Sequence, residues 1–360
     1  MKGYIVLENG EVFTGKIIGG NESGTYGEAV FFTGMTGYQE VATDPSYRGQ
    51  IVIFTYPLIG NYGIQDYTSQ SEEWQANALV IGECSEEGYH YLSKKSVMNE
   101  ANNMNVPIIV DVDTRALVKC LREQGAMGAV ITTDLDGIDW SNYQPVDEYP
   151  FVKEVSTKQI ETYGAGETHI ALYDFGHKRA MIQELTQLGA KVSVVPFDTP
   201  YETIQHLDVD GVLFSNGPGN PKQLEHELHI YRKVASAYPT FAICLGHQLL
   251  ALAFGADTKK LKFGHRGANQ PVLEIATQKV DMTAQNHGFV VDDETIGHSE
   301  MQVTHVNIND GSIEGLKHEE LPLFTVQYHP EASPGPKDSH PLFHQFFASI
   351  EKKKEVTIHA

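Results

Sequence analysis

Cysteine is scarce: the 360 residues hold only three, Cys84, Cys120 and Cys244. An odd, sparse count in so long a chain excludes a disulfide framework. It suits a reducing compartment, where a lone thiolate can serve as a nucleophile. Basic residues are also in the minority, 26 against 47 acidic ones, for a formal net charge of −21. That balance argues against a surface built for nucleic acid or anionic lipid, while a few local donors can still hold a small anionic substrate. No apolar run approaches the roughly 18 residues of a membrane helix. The first apolar stretch, Tyr4–Leu7, is broken by Glu8, well short of a signal-peptide core. A cytoplasmic protein is expected, with neither membrane nor nucleic acid as partner.

Cofactor signatures are missing as well. Gly10, Gly15 and Lys16 have the spacing of a phosphate-binding loop, but Ile17 stands where the magnesium-binding Ser or Thr is required. There is no G-x-G-x-x-G turn. Sixteen histidines invite a metal, yet no H-E-x-x-H or C-x-x-C pair exists, so no metal is expected on this chain.

What is present begins with a length that favours two domains and an apolar fraction of 41%, enough for real cores. The first part reads as β-rich, with short apolar runs at Tyr4–Leu7, Val12–Gly15, Ala29–Phe32 and Gln50–Thr55 separated by glycine-containing turns. Asp113-Thr114 precedes a helix over Arg115–Glu123 that stops at Gly125. The polar stretch Val155–Glu167 reads as a linker, which divides the chain into domains 1–165 and 166–360. The second part alternates. Strands are predicted over Ile170–Tyr173, Lys191–Pro196, Gly211–Ser215 and Thr240–Ile243, with helices over Lys178–Leu188, Gln223–Ala237 and Gly246–Phe254. Alternation of this kind means an α/β fold, a doubly wound and mostly parallel sheet, with ligands at the carboxyl ends of its strands.

Three motifs fall at those strand ends. In Phe241-Ala242-Ile243-Cys244-Leu245-Gly246-His247-Gln248 a strand ends, a cysteine follows and a helix opens. This is the strand–nucleophile–helix turn of serine hydrolases, with sulfur for oxygen. The helix N-terminus favours the thiolate, and the Leu245 amide is available to an oxyanion. A buried structural thiol at a strand end has the same local look. In Gln327-Tyr328-His329-Pro330-Glu331 the histidine and the glutamate, two apart in extended chain, face one way. They have the chemistry of a base and its orienter, though a surface His-Glu pair reads identically. Phe214-Ser215-Asn216-Gly217-Pro218-Gly219-Asn220-Pro221 is a rigid loop with exposed amides, suited to an oxyanion or to an ordinary tight turn. Gln285-Asn286-His287-Gly288-Phe289 offers a weaker candidate substrate wall.

The Cys244 elbow, the Asn216–Gly219 loop and His329-Pro330-Glu331, in this order, resemble class I (triad) glutamine amidotransferases over roughly residues 168–350. The N-terminal motifs extend the resemblance. Phe32-Thr33-Gly34-Met35-Thr36-Gly37-Tyr38-Gln39-Glu40, Thr43–Tyr47, Tyr56–Gly63 and Asp113–Leu117 look like the small subunit of carbamoyl-phosphate synthetase, as do Gly246–Leu252 and Pro330–Pro336. The resemblance implies a subunit that hydrolyses glutamine and passes ammonia through a tunnel to a large synthetase subunit. There carbamoyl phosphate is made from bicarbonate and ATP for arginine or pyrimidine synthesis. It implies no cofactor on this chain, ATP and Mg on the large subunit, and a heterodimer or a higher oligomer. It assigns Cys244 as nucleophile, His329 as base and Glu331 as its orienter, with Gly217 and Leu245 supplying oxyanion amides. Ser46, Gly219, Gln248, Asn286, Gly288 and Phe289 match glutamine-binding positions.

Two departures stand out. Ala242 replaces the usual glycine two residues before the nucleophile, adding a methyl beneath a tight turn. Phe263–Pro271 differs at several places from the family's His-Gly-Gly-Asn-His-Pro stretch. Other readings of the same residues are a free-standing hydrolase of γ-glutamyl or peptide bonds, an amidotransferase of guanylate or anthranilate synthesis, and a catalytically silent assembly subunit. The N-terminal domain argues against the first two, and the intact Cys, His and Glu against the third.

Overall fold

A computed structural model of the chain describes residues 1–20 and 24–359. These divide into two compact units, Met1–Phe151 with Lys262–Gly267, and Val152–Leu261 with Ala268–Ala360.

The first unit is built on a closed barrel of seven strands: β1 (Lys2–Leu7), β2 (Val12–Ile18), β3 (Thr25–Phe32), β4 (Gln50–Phe54), β5 (Ala78–Val80), β6 (Ile108–Val110) and β7 (Met127–Thr132). Their order is β1-β2-β6-β5-β4-β3-β7. Pairing is mixed, since β3, β4, β5 and β6 run parallel to their neighbours within that set and the other pairs are antiparallel. The β-branched run Gln50–Phe54 is buried throughout, and its alternation divides the side chains between two cores. Ile51 and Ile53 pack with Ile5, Leu7, Leu117 and Leu121, while Val52 and Phe54 pack with Val41, Ala42, Val97 and Ala101. Leu117 and Leu121 lie four apart on helix α1 (Thr114–Gln124), whose first turn is capped by the Asp113 carboxylate accepting from the Ala116 N–H at 2.9 Å.

The second unit carries a ten-stranded sheet. Its strands are β8 (Glu161–Tyr163), β9 (Thr168–Asp174), β10 (Ala190–Pro196), β11 (Gly211–Phe214), β12 (Thr240–Ile243), β13 (Thr258–Glu274), β14 (Val280–Val291), β15 (Met301–Asn307), β16 (Ile313–His318) and β17 (Leu323–Val326). The order is β8-β10-β9-β11-β12-β17-β16-β15-β13-β14. Five central strands, β10 to β17 in that order, are parallel. Antiparallel strands extend them on both sides, so the parallel part is the middle of the sheet and not its whole. Helices α2 (Arg179–Gln187), α3 (Leu228–Ala237), α4 (Leu245–Ala253) and α5 (Pro341–His359) supply the cover. Tyr173, Phe214, Tyr231 and Leu249 pack in one core, while Leu172, Leu213, Phe241, Phe343 and Phe346 pack in the other.

Two details differ from the pattern read in the sequence. The polar stretch 155–167 contains β8, which pairs antiparallel with β10. At its start two groups are tied down: the Thr157 N–H donates to Asp174 Oδ2 at 2.7 Å, and Ser156 Oγ accepts from the Phe197 N–H at 3.1 Å. The helical segment 223–237 begins as a 3-10 turn, Pro221–Glu227, capped by Asn220, and is broken at Leu224, where φ is −111° and ψ 25°. Among the described residues no helix is long and apolar enough to cross a membrane.

Candidate active site

The centre of the parallel sheet places the thiol. β12 is flanked on both sides by parallel neighbours, β11 and β17, and all four of its residues are buried. Cys244 follows at its carboxyl end and turns the chain at φ 55°, ψ −103°, a conformation that costs energy for any residue with a Cβ. The turn is held from two sides. The Cys244 N–H donates to Val326 O at 2.8 Å, and the Gly246 N–H donates to Ser215 O at 3.0 Å. α4 starts at Leu245, so the sulfur lies at a helix N-terminus, and the first N–H groups of that helix have no helical acceptor. Only glycine fits at 246, because a Cβ there would stand 2.5 Å from Phe214 O. The buried Cys244 Sγ donates to Asn286 O at 3.6 Å.

The exit of the next strand places the base. Ile243 pairs with Val326, so the chain leaving β17 emerges beside the elbow. Three residues on, the His329 N–H donates to Ala284 O at 2.9 Å, which fixes it against β14 two residues from Asn286. His329 Nδ1 is 2.6 Å from Glu331 Oε1, and both side chains are buried. His329 Nε2 is a buried atom with no hydrogen-bond partner among the described residues, as a base awaiting a proton requires. The same Glu331 oxygen lies 3.0 Å from Lys178 Nζ, and both side chains are at most 2% exposed. Burial works to raise the Glu331 carboxyl, but the Lys178 ammonium and the His329 ring outweigh it and hold the group down at about 2. Glu331 is therefore a fixed carboxylate that orients the imidazole.

Lys178 was not among the residues singled out in the sequence. It sits just before α2, in the loop that leaves β9, and its ammonium also donates to Ala332 O. Its N–H donates to Asn216 Oδ1 at 3.2 Å, while the Phe175 N–H donates to Ser215 Oγ at 3.0 Å. The loops leaving β9 and β11 are thus knitted together. The only signal in the sequence was a lysine at the carboxyl end of a parallel strand.

The loop after β11 carries the second candidate oxyanion donor. A Cβ at Gly217 would stand 2.2 Å from Phe175 O and 2.9 Å from Leu245 Cδ2, so glycine alone lets this loop approach the start of α4. The Gly217 N–H makes no hydrogen bond among the described residues. Gly219 follows at φ 93°. Gln248, one turn into α4, is buried and donates to Phe289 O at 2.7 Å and to Gln327 Oε1 at 2.9 Å. Asn286, Gly288 and Phe289 lie along β14, and the His287 ring between them places Nε2 3.1 Å from Gln285 Oε1 and Nδ1 2.9 Å from Phe289 O. Cys244 thus touches Asn286 and Gln248, Gly217 approaches Leu245, and His329 with Glu331 is fixed to the same strand β14 two residues from Asn286. Ser46 belongs to the first unit, where it is buried in a short 3-10 turn and its N–H donates to Asp44 Oδ1 at 2.9 Å.

His247, next to the elbow glycine, stood in the elbow motif without an assigned role. It is fully buried, and Nδ1 lies 2.7 Å from Thr325 Oγ1, tying α4 to β17. Burial, aided by His305, pushes it down to about 3, so it is neutral at physiological pH. Its role is to hold the elbow helix against the sheet.

A cysteine elbow at the end of β12 and a buried histidine–carboxylate pair leaving the neighbouring strand β17 have the residue types of a triad amidohydrolase. The family model for glutamine amidotransferase class-I matches residues 171–349, and the one for carbamoyl-phosphate synthase small chain, CPSase domain, matches residues 5–131. A carbamoyl phosphate synthase arginine-specific small chain from Halalkalibacterium halodurans is 52% identical, covering 98% of each chain. The proteins of that name from Geobacillus stearothermophilus and Bacillus subtilis are 48% and 46% identical, covering 99% and 100% of each chain. The chain belongs to the carbamoyl-phosphate synthase small-chain family and carries its glutamine amidotransferase domain, and membership implies a large-subunit partner.

Proposed function

We propose that this chain is the glutaminase subunit of a carbamoyl-phosphate synthase and that Cys244, His329 and Glu331 carry the reaction. The observation that supports this most is a strained cysteine elbow at the end of β12 and, leaving the neighbouring strand β17, a buried histidine whose Nδ1 is held by an ionised glutamate. The Cys244 thiol passes its proton to His329 Nε2, and the thiolate attacks the side-chain amide carbon of glutamine. The oxyanion so formed accepts from the Leu245 and Gly217 N–H groups. His329 returns the proton to the leaving nitrogen, ammonia departs, and a thioester remains. The same imidazole then takes a proton from water, whose oxygen attacks the thioester, and glutamate leaves as the thiol reforms. The balance is glutamine plus water to glutamate plus ammonia.

Ser46, Gly219, Gln248, Asn286, Gly288 and Phe289 are assigned to glutamine by their motif matches. The ammonia goes to the large chain of a heterodimer, where ATP and Mg serve its union with bicarbonate. The three relatives named arginine-specific support a role in arginine synthesis, and the product would serve pyrimidine synthesis equally. The sparse, unpaired cysteines support a cytoplasmic setting.

The test is glutamine hydrolysis by the purified chain, with and without its cognate large chain, bicarbonate and ATP. Strong stimulation with carbamoyl phosphate formed is expected. Hydrolysis indifferent to the partner would point instead to a free-standing hydrolase. Gly246→Ala is a second check. Its methyl would press on Phe214 O and shift the elbow, so glutamine hydrolysis should fall more than about tenfold. A variant with unchanged rate and unchanged melting temperature would show that the turn has more room than the backbone suggests.

A further inference from the structure

Most cations for which the structure shows a partner are held by carboxylates, as in Lys16–Asp111 at 2.7 Å and Arg232–Glu300 at 2.6 Å. One face of α1 is different. Arg115, Lys119 and Arg122 recur at helical spacing, so they form a stripe along two turns, and all three are exposed. Arg115 and Arg122, two of the chain's six arginines, make no ion pair and no side-chain hydrogen bond among the described residues. Lys119 reaches only Glu123, at 3.9 Å. In a chain of net charge −21, two unpaired guanidinium groups on one helix face are a local reversal of sign.

The stripe lines a groove of about 780 Å³ together with Thr55, Pro57 and Phe263, and with Glu123 as its one carboxylate among the described residues. Phe263 is anchored against Phe31, with ring centroids 5.6 Å apart, so the apolar part of the groove is preformed. Guanidinium groups above apolar side chains form a surface that takes carboxylates and packs the chain between them.

The spacing selects the occupant. Seven residues of helix separate the two arginines by roughly 10 Å along the axis. Carboxylates two or four residues apart share one side of an extended chain, about 7 or 13 Å from each other, and the arginine side chains are long enough to take up the difference. We propose that this groove seats an extended acidic segment of the partner synthetase chain, with Arg115 and Arg122 each gripping one carboxylate and Phe263 and Pro57 packing the residues between. The inference rests on the reading of this chain as the small subunit of a two-chain synthase.

The test is association of the full chain with its cognate large chain, measured by biolayer interferometry across a range of salt concentrations. The double variant Arg115→Glu/Arg122→Glu is compared with wild type and with a charge reversal in the second unit, Lys352→Glu. The double variant should bind at least tenfold more weakly at low salt and lose most of the salt dependence. Its melting temperature should not move, because both side chains are exposed and unpaired. Binding within twofold of wild type would overturn the groove assignment and leave the two-chain reading standing. No association of the wild-type chain would overturn both. Pyrophosphate is titrated into both proteins as a further probe. Saturable binding lost in the double variant, with association to the large chain intact, would make the groove a small-anion site and overturn the proposal.

Discussion

Replacement of Cys244 by serine is expected to lower glutamine-dependent carbamoyl phosphate formation by on the order of 10³-fold or more, while ammonia-dependent formation by the assembled enzyme stays unchanged. The substitution is nearly isosteric and leaves the elbow backbone and its two bonds, Cys244 N–H to Val326 O and Gly246 N–H to Ser215 O, in place. What changes is the acidity of the nucleophile. A thiol at a helix N-terminus lies within reach of ionisation near neutral pH, and a hydroxyl does not. His329 then has to remove a proton from a far weaker acid with the same imidazole. The comparison of nitrogen sources separates chemistry from folding: a misfolded variant would also impair the complex with ammonia, whereas a folded one spares it. Glutamine turnover near the wild-type rate would remove Cys244 from the mechanism.

How much of this was legible in the sequence depends on how local the signal is. The elbow was legible because strand, nucleophile and helix follow one another within eight residues, and β12 spans Thr240–Ile243 as expected. The pairing of His329 with Glu331 was legible because residues two apart in extended chain share a side. The parallel strands β9, β10 and β11 were legible from apolar runs closed by glycine or proline. The antiparallel extension formed by β13 to β16 was not. Its long strands mix polar and apolar residues, and β13 runs from Thr258 to Glu274 with a largely part-exposed pattern. Lys178 was hidden for another reason. Its partner Glu331 lies 153 positions away, and nothing in a lysine before a helix states that its ammonium will be buried beside a carboxylate. The closure of the first seven strands into a barrel was likewise invisible, since it is decided by pairings such as β1 with β7 across the whole domain.

That buried lysine supports the last prediction. Glu331 accepts from two groups through the same oxygen, and no other partner meets its second oxygen among the described residues. Lys178→Met removes a neighbour that holds the carboxylate charged and leaves burial to act against it. The folded-state value of Glu331 should rise from about 2 towards or above the ordinary 4.5. A carboxyl held low stabilises the fold at all pH above its unfolded value, and that stability is lost as pH falls through the folded value. The wild-type contribution thus persists from neutral pH to about 4.5 and drains away between there and about 2. In the variant this acid-induced loss shrinks, and it disappears once the folded value reaches the ordinary 4.5. Breaking a buried ion pair from one side should also cost about 3–5 kcal/mol at neutral pH. Glutamine hydrolysis should fall as well, with the acid limb of its kcat/KM profile displaced upward as Glu331 ceases to be a fixed anion. The double variant Lys178→Met/Glu331→Gln removes the stranded charge, so its loss of stability should be smaller than the sum of the single losses. Additive losses, together with an acid limb that does not move, would show that Lys178 fills space beside the triad without governing its charge.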